Sequence, residues 1–228
     1  MALSLIGHYD SPYVRRVGIS LSVLGMPFER QPLSVFGDAD KLRAYNPAGR
    51  VPVLVLEDGE CLVDSVAILD HLDEVAGSER ALVPAGGKAR RDALQIIGLA
   101  MGLNDKSVSI TYEHRRVPAK VDDAWIARCR GQQDSLLEAL ERRVGAGALA
   151  APRMMLPHIT LASALSYLRL RQPETFPAGR YPRLQAFATE AEGLAAFQAC
   201  LPSLQELGGP ADEARAALLR LRGGASSA

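Results

Sequence analysis

One serine and two short stretches carry the residue types from which chemistry could be built. The segment Asn46-Pro47-Ala48-Gly49-Arg50-Val51-Pro52-Val53-Leu54-Val55 sets a proline directly before an apolar, β-branched run, and Asp64-Ser65 follows after a short turn. A proline at the head of a strand with a capping pair downstream makes a backbone edge suited to a small peptide-like ligand. Ser11 stands before Pro12, a strong helix start, because proline at the first helical position gives up only an amide that would be unpaired anyway. A hydroxyl has a donor and two acceptor lone pairs, so Ser11 can cap a helix and still aim its proton at a ligand. Tyr9 and Tyr13 are nearby hydroxyls, and Tyr9, in the loop before the helix, is the stronger rival donor. Metal chemistry has little support. Cys61, Cys129 and Cys200 are far apart without a C-x-x-C pair, and His8, His71, His114 and His158 are equally scattered, so neither a disulfide framework nor a metal site is expected.

The composition narrows the class. A chain of 228 residues, 48% hydrophobic, is long enough to bury a proper core. Lys plus Arg and Asp plus Glu both total 26, so no global field draws the protein to nucleic acid or to an anionic membrane. The first residues show no basic stretch ahead of a long apolar core, and no run approaches the roughly 20 apolar residues needed to span a bilayer. A cytoplasmic protein is expected.

Periodicity supplies the elements that must position these residues. Residues 2–7 form a short apolar strand, and Val14, Val17, Leu21 and Leu24 share one face of a helix stopped by Gly25. Residues 28–34 can extend as far as Pro32 allows, and a short helix fits residues 38–45. Residues 51–56 and 61–63 flank Asp58-Gly59 as an antiparallel hairpin, after which Ser65 caps a helix carrying Ile68, Leu69 and Leu72. The order β-α-β, short helix, β-β-α is the thioredoxin-like arrangement. A linker at 78–88 separates this domain, residues 1–77, from an all-helical one at 89–222, with a disordered tail at 223–228. Helices are expected over 89–116, where Gly98 and Gly102 permit a bend or close packing, after Asp122, from Thr160 to about 171, at 184–191 and at 212–221.

The ordered motifs Ser11-Pro12-Tyr13-Val14-Arg15-Arg16, Asn46-Pro47-x-Gly49-Arg50-Val51-Pro52 and Asp64-Ser65, followed by a linker and a helical half, resemble the cytosolic glutathione transferases, in particular serine-type bacterial members. The resemblance covers nearly the whole chain. Two departures lie in the second half: Thr160-Leu161-Ala162-Ser163 lacks the carboxylate of the family's usual Ser/Thr-x-x-Asp box, and Gly193-Leu194-Ala195-Ala196-Phe197 replaces a common Arg-Pro pair.

The resemblance implies an α+β thioredoxin-like domain that binds glutathione as co-substrate, followed by an all-α domain, in a homodimer. It implies that Ser11 is catalytic, donating a hydrogen bond to the glutathione thiolate, with Tyr9 as the alternative. Pro52 is then cis, Val51 pairs through its main chain with the cysteinyl unit, and Arg50 reaches the glycyl carboxylate. Ser65 holds the γ-glutamyl carboxylate and Asp64 the ammonium, to which Asp105 could extend across a dimer. Tyr9, Met101, Val108 and Tyr112 would line the second-substrate pocket for a small apolar electrophile. Glutathione-dependent reduction of disulfides or peroxides is an alternative, though members suited to disulfide exchange carry cysteine where this chain has Ser11. A non-catalytic binding or regulatory module is another.

Overall fold

The chain builds a small mixed sheet first and helices thereafter. A computed structural model describes residues 2–150 and 153–222; the expected tail at 223–228 lies outside the described residues. Strand β1 (Leu3–Ile6) leads into α1 (Pro12–Leu24), then β2 (Phe28–Gln31), a short α2 (Ala39–Arg43), the hairpin β3 (Val53–Val55) and β4 (Cys61–Val63), and α3 (Ser65–Ala76). The sheet order is β2-β1-β3-β4, with β1 parallel to β2 and the other pairs antiparallel. This is the expected thioredoxin-like order. Strand β3 starts at Val53 rather than residue 51, in register with Ile6, because Pro52 has no amide to give the ladder and follows a cis bond.

The helical half comprises α4 (Gly87–Glu113), α5 (Asp123–Gly145), α6 (Leu156–Arg171), α7 (Pro182–Glu192), α8 (Ala195–Ala199), α9 (Leu204–Leu207) and α10 (Ala211–Leu221). Helix α4 passes unbroken through Gly98 and Gly102, and Asp122 caps α5 by accepting the Trp125 amide at 2.9 Å. Thr160 is not a cap: it lies buried inside α6, which begins a turn earlier. There the imidazole Nδ1 of His158 accepts the Met155 amide at 3.1 Å, and its Nε2 meets the Leu149 carbonyl at 2.8 Å, so a histidine replaces the missing carboxylate at this helix start. The short α8 and α9 carry too little periodicity to be expected from sequence.

Two cores form. One joins Leu5, Val14, Leu21, Ile68 and Leu72 to Ile159 and Phe197 of the helical half; the other packs Ile96, Leu103, Leu137, Leu165 and Leu184 among α4, α5, α6 and α7. Between α1 and the helical half lies a buried ion pair. Arg15 meets Glu192 through Nη1 to Oε1 at 2.6 Å and Nη2 to Oε2 at 2.7 Å, while its Nε donates to the Cys200 carbonyl at 3.0 Å. Ser166 of α6 also donates to the Glu192 carboxylate. Both charged side chains are 1% exposed, so each depends on the other for what water would otherwise supply.

Replacing Arg15 by Ala strands the Glu192 carboxylate and should cost about 3–5 kcal/mol of unfolding free energy in urea denaturation. Lys88→Ala, which opens an exposed pair with Asp92, should change it by less than about 0.5 kcal/mol. Equal losses from the two would overturn this account of how the halves are joined.

Candidate active site

The loop of residues 7–11 carries the chain from β1 into α1 and decides where Ser11 points. Gly7 has φ +127°, and a Cβ there would come within 2.6 Å of a Val14 methyl and 2.9 Å of Val51 Cβ, so only glycine lets this loop close against Val51. Ser11 is the α1 N-cap, with φ −73° and ψ 123°, and its Oγ accepts the Val14 amide over a long 3.4 Å. The cap uses an acceptor lone pair, which leaves the hydroxyl proton for another partner. No acidic residue occupies the first turn of α1, so the partial positive charge at that end is not neutralised there.

The loop is held from behind by α9. Glu206 Oε1 accepts the Tyr9 amide at 2.9 Å and the Arg30 guanidinium at 2.5 Å, while Oε2 accepts the Ser203 amide at 2.7 Å. Arg30 in turn lies 3.6 Å over the Tyr9 ring. The ring fits because residue 18 is glycine: a Cβ there would be 2.7 Å from the Tyr9 ring and hydroxyl. Tyr9 is therefore 1% exposed, its hydroxyl beside Cys200, and desolvation drives its ionisation well above the ordinary tyrosine range. It does not line the second-substrate pocket, contrary to expectation, because its side chain turns into the core.

Arg50, Val51, Pro52, Asp64 and Ser65 line one open cleft of roughly 850 Å³, to which α4 contributes Met101 and Asp105 of the same chain. The Val51-Pro52 bond is cis. Neither the amide nor the carbonyl of Val51 is hydrogen-bonded among the described residues, so its main chain is an unused edge. The Asn46 side chain braces the approach to it, donating to the Arg50 carbonyl at 2.9 Å and accepting the Ala48 amide at 3.0 Å. At the far side, Asp64 rather than Ser65 caps α3, accepting the Val66 amide at 2.8 Å. Asp64 is the one non-glycine residue with positive φ, 71°, among the described residues, a conformation that surrounding structure must impose. Ser65, moved into the first turn, is 1% exposed and its Oγ has no partner within the protein.

A second pocket shares Tyr13, Arg50 and Val51 with this cleft and is lined by Ser11. Val108 and Tyr112 line it; Met101 does not, its sulfur taking a hydrogen bond from Arg16 beside the first cleft. Tyr13 stands where the two spaces meet, its pKa pushed up to about 12 by desolvation and by Asp105, so it is a protonated donor at neutral pH. On the far wall Tyr167 donates to Thr111 at 2.8 Å, and Thr111 accepts the buried Gln172 amide at 3.2 Å. Among the described residues, no cluster of His, Cys, Asp and Glu could hold a metal ion.

Comparison with known proteins now decides the family. A model of the glutathione S-transferase N-terminal domain matches residues 5–80, and one of the C-terminal domain matches residues 123–190. The Escherichia coli K12 protein YibF, described as an uncharacterized GST-like protein, is 31% identical over 170 residues, 75% of this chain and 84% of that protein. The chain belongs to the glutathione S-transferase family. A Pseudomonas fluorescens Pf-5 glutathione transferase family member, solved with bound glutathione, aligns with TM-score 0.80 and 31% identity over 89% of this chain and 100% of its own. A glutathione S-transferase of Methylobacillus flagellatus KT with glutathione bound gives TM-score 0.81 at 25% identity, again over 89% and 100% of the two chains.

In this glutathione S-transferase family member the sequence missed Asp10, Phe36, Thr111, Arg115, Tyr167 and Arg171 as pocket residues. A signal for two of them was present: Thr111 and Arg115 continue the face of Val108 and Tyr112 at helical spacing. Glu206 too carried a local signal: Ser203-x-x-Glu206 has capping-box spacing, and the structure forms that box. Burial pushes the Glu206 pKa up, but the Ser203 and Tyr9 amides and Arg30 outweigh that and hold it below the ordinary 4.5. A carboxylate depressed on folding stabilises fully above its unfolded pKa, and that contribution is lost as pH falls through the folded value. Stability measured by denaturant titration should therefore drop as pH falls below about 4.5, and Glu206→Gln should lower the neutral-pH value while flattening this acid limb. An acid limb identical in the variant would remove Glu206 from the account.

Proposed function

We propose that the protein is a glutathione transferase in which Ser11 stabilises the glutathione thiolate for attack on a small electrophile held in the second pocket. The observation that carries this is the junction at Val51 and Tyr13: a cleft fit for a peptide-like zwitterion opens onto a pocket lined by the free hydroxyl of Ser11. In this reading the unused Val51 main chain pairs with the cysteinyl unit as an added strand would. The orphaned Ser65 hydroxyl and the α3 amides take the γ-glutamyl carboxylate, Asp64 takes the ammonium, and Arg50 reaches the glycyl carboxylate. The glutathione bound to the Pseudomonas and Methylobacillus relatives supports the same ligand here.

The energetics are sufficient. A thiol of pKa about 8.5 is a few per cent ionised at neutral pH, and lowering it by about two units takes roughly 2.7 kcal/mol. A hydrogen bond to the charged sulfur supplies about 1.5–3 kcal/mol and the α1 N-terminus about 0.3–1. Disulfide exchange is disfavoured because no cysteine lines either space. The exposed Val63 beside the cleft and Val66 and Leu94 beyond it support a homodimer, and a cytoplasmic location suits a reaction that needs reduced glutathione.

Calorimetric titration should show glutathione binding to the wild type, and an ultraviolet thiolate band should report a lowered thiol pKa. Ser11→Ala should still bind, lose most of the thiolate band at neutral pH and lower kcat/KM by about 10- to 100-fold. Binding without turnover of any electrophile would instead mark a binding module. An unchanged thiol pKa in Ser11→Ala would move the role to Tyr13 or a backbone amide.

A further inference from the structure

The pocket beside Ser11 is apolar in body and cationic at its edge. Pro12, Val35, Val108 and the Phe36 and Tyr112 rings, whose centroids are 5.3 Å apart, supply the body. Arg50, Arg115 and Arg171 also line it, against a single carboxylate, Asp10. Asp10 is consumed by Arg171 at 2.5 Å. Arg50 opens on the glutathione cleft as well and is accounted for by a glutathione carboxylate in the reading above. That leaves Arg115. It has no acidic partner among the described residues, and its guanidinium is stacked 3.8 Å over the Phe36 ring, which holds it at the pocket wall. Arg115 is exposed, so water solvates it when the pocket is empty or holds a neutral electrophile, whereas a carboxylate on the electrophile would be matched by its planar fork through two parallel hydrogen bonds.

We propose that the second pocket selects electrophiles bearing a carboxylate, with Arg115 as the specificity residue that receives the anion while the reactive carbon lies at Ser11. The inference rests on the transferase reading and gives it a substrate class. For an aryl chloride the step balances simply. The thiolate sulfur bonds the ring carbon, the carbon–chlorine bond breaks, chloride leaves with the electron pair, and the thiol proton has already passed to solvent.

The test uses the full chain with glutathione and two acceptors: a chlorobenzene with two ortho nitro groups, and the same ring carrying a carboxylate para to the chlorine. Each kcat/KM is divided by its uncatalysed rate, and the ratio of the two is the readout. Wild type should favour the carboxylate by at least about 10-fold, and Arg115→Gln should cut that preference by about 10-fold or more. Arg115→Lys, which keeps a point charge without the fork, should recover part of it. Arg142→Gln removes the same charge from the exposed end of α5 and should leave the ratio within about twofold of wild type. A wild type without preference for the carboxylate, or an Arg115→Gln ratio matching wild type, overturns the inference and leaves the transferase reading standing. Turnover of neither acceptor by a protein that binds glutathione also overturns the inference, and the transferase reading falls with it only where no other electrophile is turned over.

Discussion

The buried pairing of Arg15 with Glu192 is the constraint on which the rest of the arrangement depends. Arg15 lies one turn into α1, the helix whose first cap is Ser11, and its partners come from α7 and from α8 and its end, while Ser166 of α6 holds the Glu192 carboxylate. An ion pair without water is a poor source of net stability but a demanding one geometrically, since any displacement leaves both charges unsatisfied. The pair therefore fixes the axis and depth of α1 against the helical half. Every distance between the Ser11 hydroxyl and the α4 wall follows from that position. Arg16, the next residue, is equally buried and reaches Met101, so two adjacent arginines tie α1 to the opposite half along different directions.

The two spaces that meet at Val51 divide the recognition problem. The first is made largely of main chain and helix ends: an unpaired strand edge, an amide-rich N-terminus, and an aspartate held at positive φ to cap it. Such groups are preorganised and cost little to present. The second is made of side chains from α1, α4 and α6 and from the loop before α2, elements that tolerate exchange without disturbing the sheet. The two walls thus differ in how far their chemistry depends on side-chain identity.

Much of the fold was legible because its signals are local. Ser11-Pro12 marks the start of α1, Asp58-Gly59 marks the hairpin, and Asp122 marks the start of α5, each through a backbone preference that needs no distant partner. The cleft was legible for the same reason, since Val51, Pro52, Asp64 and Ser65 owe their character to neighbours in the chain. What failed depended on side-chain contacts that local backbone preference does not encode, some of them far away in sequence. Tyr9 has the composition of a loop hydroxyl, and only Gly18 and Arg30 turn it inward. Thr160 has the look of a cap, but the imidazole of His158 starts the helix earlier. Arg115 continues a helical face, yet its place at the pocket wall depends on Phe36, which lies before α2.

The hold of Glu206 on the Tyr9 amide spans 197 positions of the chain. The loop that ends at Ser11 is therefore translated long before the group that fixes its shape. A ribosome-bound chain that has released only its sheet domain thus lacks the finished Ser11 loop, however well that sheet has formed. Closure over so long a separation also comes late in folding, after local helices are in place. The shape of the Ser11 loop in this way waits on translation of the helical half through Glu206, and a product cut before that residue would carry the Val51 edge without the shaped loop.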